Sequence, residues 1–132
     1  MALLKHGQLT DDPWVHAGDA GSYRDGHVIL SLAAWLEQRE RWLAGDAPVG
    51  VRLASHEAVE DIAGDLDHLA VVALEFPKFT DGRAYSSARL LRQRYGYAGE
   101  IRAVGQVLRD QYAFMRRAGI DAFEIPDDAD LA

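Results

Sequence analysis

The chain has 132 residues, 48% of them hydrophobic, with 14 Lys+Arg against 21 Asp+Glu and a net charge of −7. That length and apolar content fit one compact domain and exclude an intrinsically disordered chain. The sequence contains no cysteine, which excludes a disulfide framework, a thiolate nucleophile and Cys-ligated zinc or iron–sulfur clusters.

In chain order, residues 1–30 are rich in turn residues (Asp11-Asp12-Pro13, Gly18-Asp19-Ala20-Gly21, Asp25-Gly26) between short apolar segments. They read as an N-terminal arm or a β-hairpin packed on the domain. Ser31 is placed to cap a helix over 32–44, on which Leu32, Trp35, Leu36 and Leu43 keep helical spacing and Gly45 marks the stop. Trp35 and Trp42, seven apart, share a face and read as core or interface anchors. A strand follows over 49–54, then a short helix over 57–66. Residues 69–76 (LAVVALEF) form the clearest strand, a continuous apolar run suited to burial on both faces. A loop over 77–82 leads to a helix over 85–95 that ends at Gly96, and a third strand covers 100–104. A helix over 106–118 closes at Gly119, a fourth strand covers 122–125, and residues 127–132 form an acidic tail.

The alternation predicts an α/β fold: a small open parallel sheet of about four strands with crossover helices, flavodoxin-like or half-barrel-like. Residues 31–126 are expected to form the single domain. No apolar run reaches the roughly 20 residues of a membrane span. The first ten residues carry one Lys and no small-residue cleavage pattern, so no signal peptide is expected and a cytoplasmic location is.

Charge is unevenly distributed. Residues 1–77 hold 5 basic and 13 acidic side chains, residues 78–117 hold 9 and 3, and residues 118–132 hold none and 5. A basic segment in an acidic chain suggests a seat for an anion or an acidic partner; internal pairing on solvated helix faces is the other reading. Nucleic acid is disfavoured by a pI near 5.1 and the lack of a recognition motif. The five histidines (6, 16, 27, 56 and 68) have no metal-ligand spacing, so no metal site is expected.

Ligands of open parallel sheets sit beyond the carboxyl ends of the strands. The loop after 69–76 is the most informative of these. Lys78, Thr80, Gly82, Arg83 and Ser86, with Arg109 from the next crossover, are the candidate anion or substrate ligands. Glu75, Lys78, Asp81 and Asp110 are the candidate catalytic groups. Glu75, in an otherwise apolar strand, reads either as a perturbed general base or as half of an ion pair with an Arg from a neighbouring helix. Arg89, Arg92, Arg94, Arg116 and Arg117 are the candidate partner-docking residues. Walker, GxGxxG and GxSxG patterns are all missing, so no bound cofactor is expected.

The run from Phe76 to Arg94 (FPKFTDGRAYSSARLLRQR) with Tyr95-Gly96, then Gly99 to Gln111 (GEIRAVGQVLRDQ), then Gly119 to Glu124, strongly resembles the bacterial family DUF934. With VGVRLA, Asp65-Leu66-Asp67 and LAVVALEF upstream, the resemblance covers about residues 31–125. The departures are Ile120 where members often carry Phe, Ala118 where they often carry Cys, and Gln106 where Asp is frequent. Members are described as probable oxidoreductases involved in sulfite reduction. The resemblance therefore implies a role in reducing sulfite to sulfide, with sulfite reductase or another sulfate-assimilation protein as partner. Reduction of sulfite uses siroheme and an iron–sulfur cluster whose ligands include cysteine thiolates, so this chain is expected to be an accessory that docks the reductase system or holds an oxyanion. A small α/β enzyme using the strand-end loops is the alternative, and homo-oligomerisation stays open.

Overall fold

A computed structural model describes residues 2–16, 27–45, 47–76, 83–105, 107 and 109–125. The strands are β1 (Ala2–Lys5), β2 (Gln8–Thr10), β3 (Val15–His16), β4 (Val28–Ser31), β5 (Val49–Leu53), β6 (Val71–Phe76), β7 (Glu100–Gly105) and β8 (Ala122–Ile125). The α-helices are α1 (Leu32–Leu43), α2 (Arg83–Arg89) and α3 (Tyr112–Ala118). All eight strands form one sheet in the order β2-β1-β8-β7-β6-β5-β4-β3.

The expectation of about four strands is therefore corrected to eight. The four expected strands are β5 to β8, which pair parallel in chain order. The other four come from residues before 32. β4 and β3 add parallel to one side. The hairpin β1–β2 adds antiparallel to the other through β8, which makes the sheet mixed. His6 and Gly7 at its turn both have positive φ (53° and 79°), as a two-residue type I′ turn requires.

The sheet curls strongly. Thr10 and Val15 lie on its two opposite edge strands, joined by four residues that span at most about 18 Å. A flat sheet of eight strands would hold those edges about 34 Å apart. The result is an open half-barrel with one convex and one concave face.

The convex face carries Val28, Leu30, Val49, Val51, Leu53, Val72, Leu74, Phe76, Ile101, Ala103, Phe123 and Ile125, which with the helices make the main core. Ser31 caps α1 by accepting a hydrogen bond from the Ala34 amide at 3.2 Å, as its sequence position predicts. Trp35 and Trp42 are both buried in this core. Trp35 donates its indole N–H to Asp65 at 3.1 Å, and Arg39 holds the same carboxylate from 2.6 Å. That arginine hydrogen bond keeps the Asp65 carboxyl below the usual carboxylate range.

Three helical expectations change. In place of a helix over 57–66 stand two 3₁₀ segments, Val59–Asp61 and Ala63–His68; Gly64 and three aspartates in 61–67 are poor helix formers. The helix over 85–95 begins earlier, at Arg83, and widens into a π-helical stretch, Leu90–Arg94, closed by the Tyr95 amide donating to the Leu90 carbonyl. Of the helix expected over 106–118, the described residues from 109 onward form a 3₁₀ turn, Arg109–Gln111, followed by α3.

Candidate functional site

The concave face is where the sequence departs from an ordinary sheet. Strand alternation places Lys5, Arg52, Glu75, Glu100, Arg102 and Glu124 on it, beside a small apolar patch of Ile29, Val71, Ala73 and Val104. Segment 11–16 crosses this face. Trp14 packs on the patch, while Asp12 and His16 join the charges.

Arg102 is the centre of the array and is fully buried, with 0% of its surface exposed. Its Nε donates to Glu100 at 2.8 Å and its Nη1 to Glu124 at 2.9 Å. Its two terminal nitrogens hold Asp12, at 2.9 Å from Nη1 and 3.1 Å from Nη2. Burial alone would lower the affinity of Arg102 for its proton, but the carboxylates outweigh burial and raise it. Burial likewise pushes the Glu124 carboxyl up, and the hydrogen bonds from His16 and Arg102 overcome this and hold it below its ordinary value.

His16 bridges the two sides of the half-barrel. Its Nε2 lies 2.7 Å from Glu124 on β8 although four strands separate β3 from β8 in the sheet. Arg52 Nη1 lies 2.9 Å from His16 Nδ1. A guanidinium only donates, so Nδ1 is the acceptor and Nε2 carries the proton given to Glu124. Arg52 also pairs with Glu75 at 2.8 Å near the carboxyl ends of β5 and β6; their side chains are 25% and 37% exposed. Glu75 is thus half of an ion pair, and its partner comes from a neighbouring strand rather than from a helix as expected. Lys5 pairs with Glu100 at the other end. The array is ordered and mutually satisfied: no buried side-chain nitrogen or oxygen among the described residues lacks a partner.

The other expected site residues lie elsewhere. Lys78, Thr80, Asp81 and Gly82 fall outside the described residues. Arg83 and Ser86 are exposed at the start of α2, Arg109 opens the 3₁₀ turn, and Asp110 is exposed within it. Of the expected docking arginines, Arg92 turns inward. It donates to the backbone carbonyls of Gly119, Tyr97 and Gly99 at 2.9, 2.8 and 2.7 Å, tying the π-helical stretch to the chain before β7 and after α3. That work removes it from any docking face. Arg94 is exposed and stacks on Tyr95.

Arg89, Arg116 and Arg117 stay exposed on α2 and α3. Between these helices runs a groove of about 390 Å³ lined by Tyr85, Arg89, Gln111 and Phe114. Tyr85 and Arg89 are four apart on α2, and Phe114 and Arg117 three apart on α3, so each pair shares a helix face. Tyr85 donates to Gln111 at 2.9 Å and packs edge-on against Phe76, fixing one wall. Phe114 is 56% exposed, with the Arg117 guanidinium 5.8 Å from its ring centre. A half-exposed aromatic flanked by arginines is chemistry suited to recognition rather than to bond making.

Sequence reasoning missed Asp12, His16, Arg52, Arg102 and Glu124 as one constellation. The available signal was a charged residue at like-facing positions in otherwise apolar strands: Arg52 in VGVRL, Glu75 in VVALEF, Glu100 and Arg102 in EIRAVG, Glu124 in AFEI. Among the described residues no helix is long and apolar enough to cross a membrane. Nothing among curated proteins matches the chain, and nothing among solved structures does. One family profile matches residues 50–132, that of the bacterial proteins of unknown function DUF934, and the chain belongs to that family.

Proposed function

We propose that this protein is a non-catalytic accessory of assimilatory sulfite reduction that docks an acidic partner of the reductase system through the α2–α3 face. The observation that carries the reading is the groove of Tyr85, Arg89, Gln111 and Phe114 with Arg117 over the phenyl ring. It presents positive charge and a half-exposed aromatic on a chain whose net charge is −7. Acidic surfaces are the complement of such a patch, and the rest of the chain repels them, so approach is steered to this face. The link to sulfite rests on the family resemblance; with no cysteine in this sequence, any thiolate-ligated electron-transfer centre would belong to the partner.

Growth of a deletion strain on single sulfur sources tests the assignment. Rescue by sulfide, with failure on both sulfate and sulfite, is the expected result. Normal growth on sulfite refutes the assignment to this step. Complementation by an Arg89→Glu/Arg117→Glu double variant, expressed at the wild-type level, refutes the docking face.

A further inference from the structure

We propose that the terminal guanidinium fork of Arg102 is a seat for a small organic carboxylate, held in this structure by the chain's own Asp12, and that segment 11–16 is a strap which such a ligand displaces. The three carboxylates on Arg102 are not equivalent. Glu100 lies on the same strand as Arg102, and Glu124 lies on the adjacent β8, so both are fixed by the sheet. Asp12 comes from 90 residues away, on irregular backbone whose residues 11–13 are exposed. It nevertheless takes the most directional contact on offer, one oxygen on each terminal nitrogen at 2.9 and 3.1 Å.

The surroundings define the ligand. Beneath the strap lies the apolar patch of Ile29, Val71, Ala73 and Val104, covered by the half-buried Trp14. With the strap lifted, the fork stands beside an apolar floor, which fits a carboxylate carrying a short apolar body. Charge selects in the same direction. Replacing Asp12 by another monoanion leaves the charge of the array unchanged. A dianion would add negative charge beside Glu100 and Glu124, and a cation would meet the guanidinium. Because Asp12 is tethered, its effective concentration is in about the millimolar range or above, so an external carboxylate binds the wild type weakly until Asp12 is neutralised.

Trp14 reports on the strap. Acetate, butyrate and benzoate are titrated into the wild-type protein and into Asp12→Asn, following tryptophan fluorescence at constant ionic strength. Sodium chloride serves as the control salt, and Trp14→Phe identifies the signal of that residue. The expected result is saturable binding in Asp12→Asn, at least tenfold tighter than in the wild type, with butyrate and benzoate stronger than acetate. Equal affinity in the two proteins, or no saturable response in a folded Asp12→Asn, overturns the proposal. Hydrogen exchange of the wild-type protein is a second test that needs no variant. The Val15 amide, which donates to His27 at 2.9 Å, is expected to lose protection in benzoate but not in chloride; unchanged protection at high benzoate also counts against the strap.

Discussion

Two sets of arginines face opposite fates in this molecule. On the concave face Arg102 is fully buried among Asp12, Glu100 and Glu124, and Arg52 lies between His16 and Glu75. On α2 and α3, Arg89, Arg116 and Arg117 stand in solvent, Arg89 and Arg117 beside Phe114. The first set joins strands that are distant in sequence and brings the sheet's margins together; removing Arg102 leaves buried carboxylates behind. The second set contributes little to folding, because exposed charges are well solvated wherever they sit. The comparison separates arginines that build the fold from arginines left in solvent.

The sharpest way to break the comparison is Arg102→Ala. It strands three carboxylates around a void, and about 4 kcal/mol of stability is expected to be lost, read by urea unfolding. A loss under about 1 kcal/mol, the range of a surface substitution, would show that the array is not structural. Next comes Gly105→Ala at the end of β7. This residue has φ of +90°, and an added Cβ would lie 2.8 Å from the Phe76 carbonyl oxygen. A cost of about 2 kcal/mol is expected from the strained backbone, with more if the Phe76 oxygen cannot move.

Acid sharpens the same contrast. The Asp65 and Glu124 carboxyls sit below their ordinary values, through hydrogen bonds from Arg39 and from His16 and Arg102 respectively. The unfolded chain therefore takes up protons more readily than the folded one. The stabilisation is present above the unfolded carboxylate value of about 4 and is lost as pH falls through the lower folded values. Unfolding midpoints measured from pH 7 to pH 3 should drop in that range, and Asp65→Asn should show a shallower drop. The smallest effect is expected from Arg89→Glu/Arg117→Glu, whose stability should stay within about 0.5 kcal/mol of wild type for each substitution.

The sequence was legible where structure is local. β6 stands out because a continuous apolar run needs no partner to be recognised, and Ser31 starts α1 by capping chemistry alone. Before residue 32 a hairpin was among the readings and β1–β2 is one, but the sheet positions of β1 to β4 were not legible, these strands being two to four residues long and dependent on partners as far off as Ile125 opposite Ala2. The concave array was hidden for the same reason: His16 meets Glu124 across 108 positions. On α2 and α3 helical spacing alone places Arg89 beside Tyr85 and Arg117 beside Phe114. It cannot reveal that Arg92 is drawn inward to the backbone carbonyls of Tyr97, Gly99 and the more distant Gly119.

Binding of purified sulfite reductase to wild-type protein and to Arg89→Glu/Arg117→Glu, across a salt series, tests the docking reading most directly. Association that is tightest at low ionic strength, weakens with salt and falls at least tenfold in the double variant is the predicted result. Equal binding of the two proteins, or no binding of the wild type at the lowest salt, would contradict it.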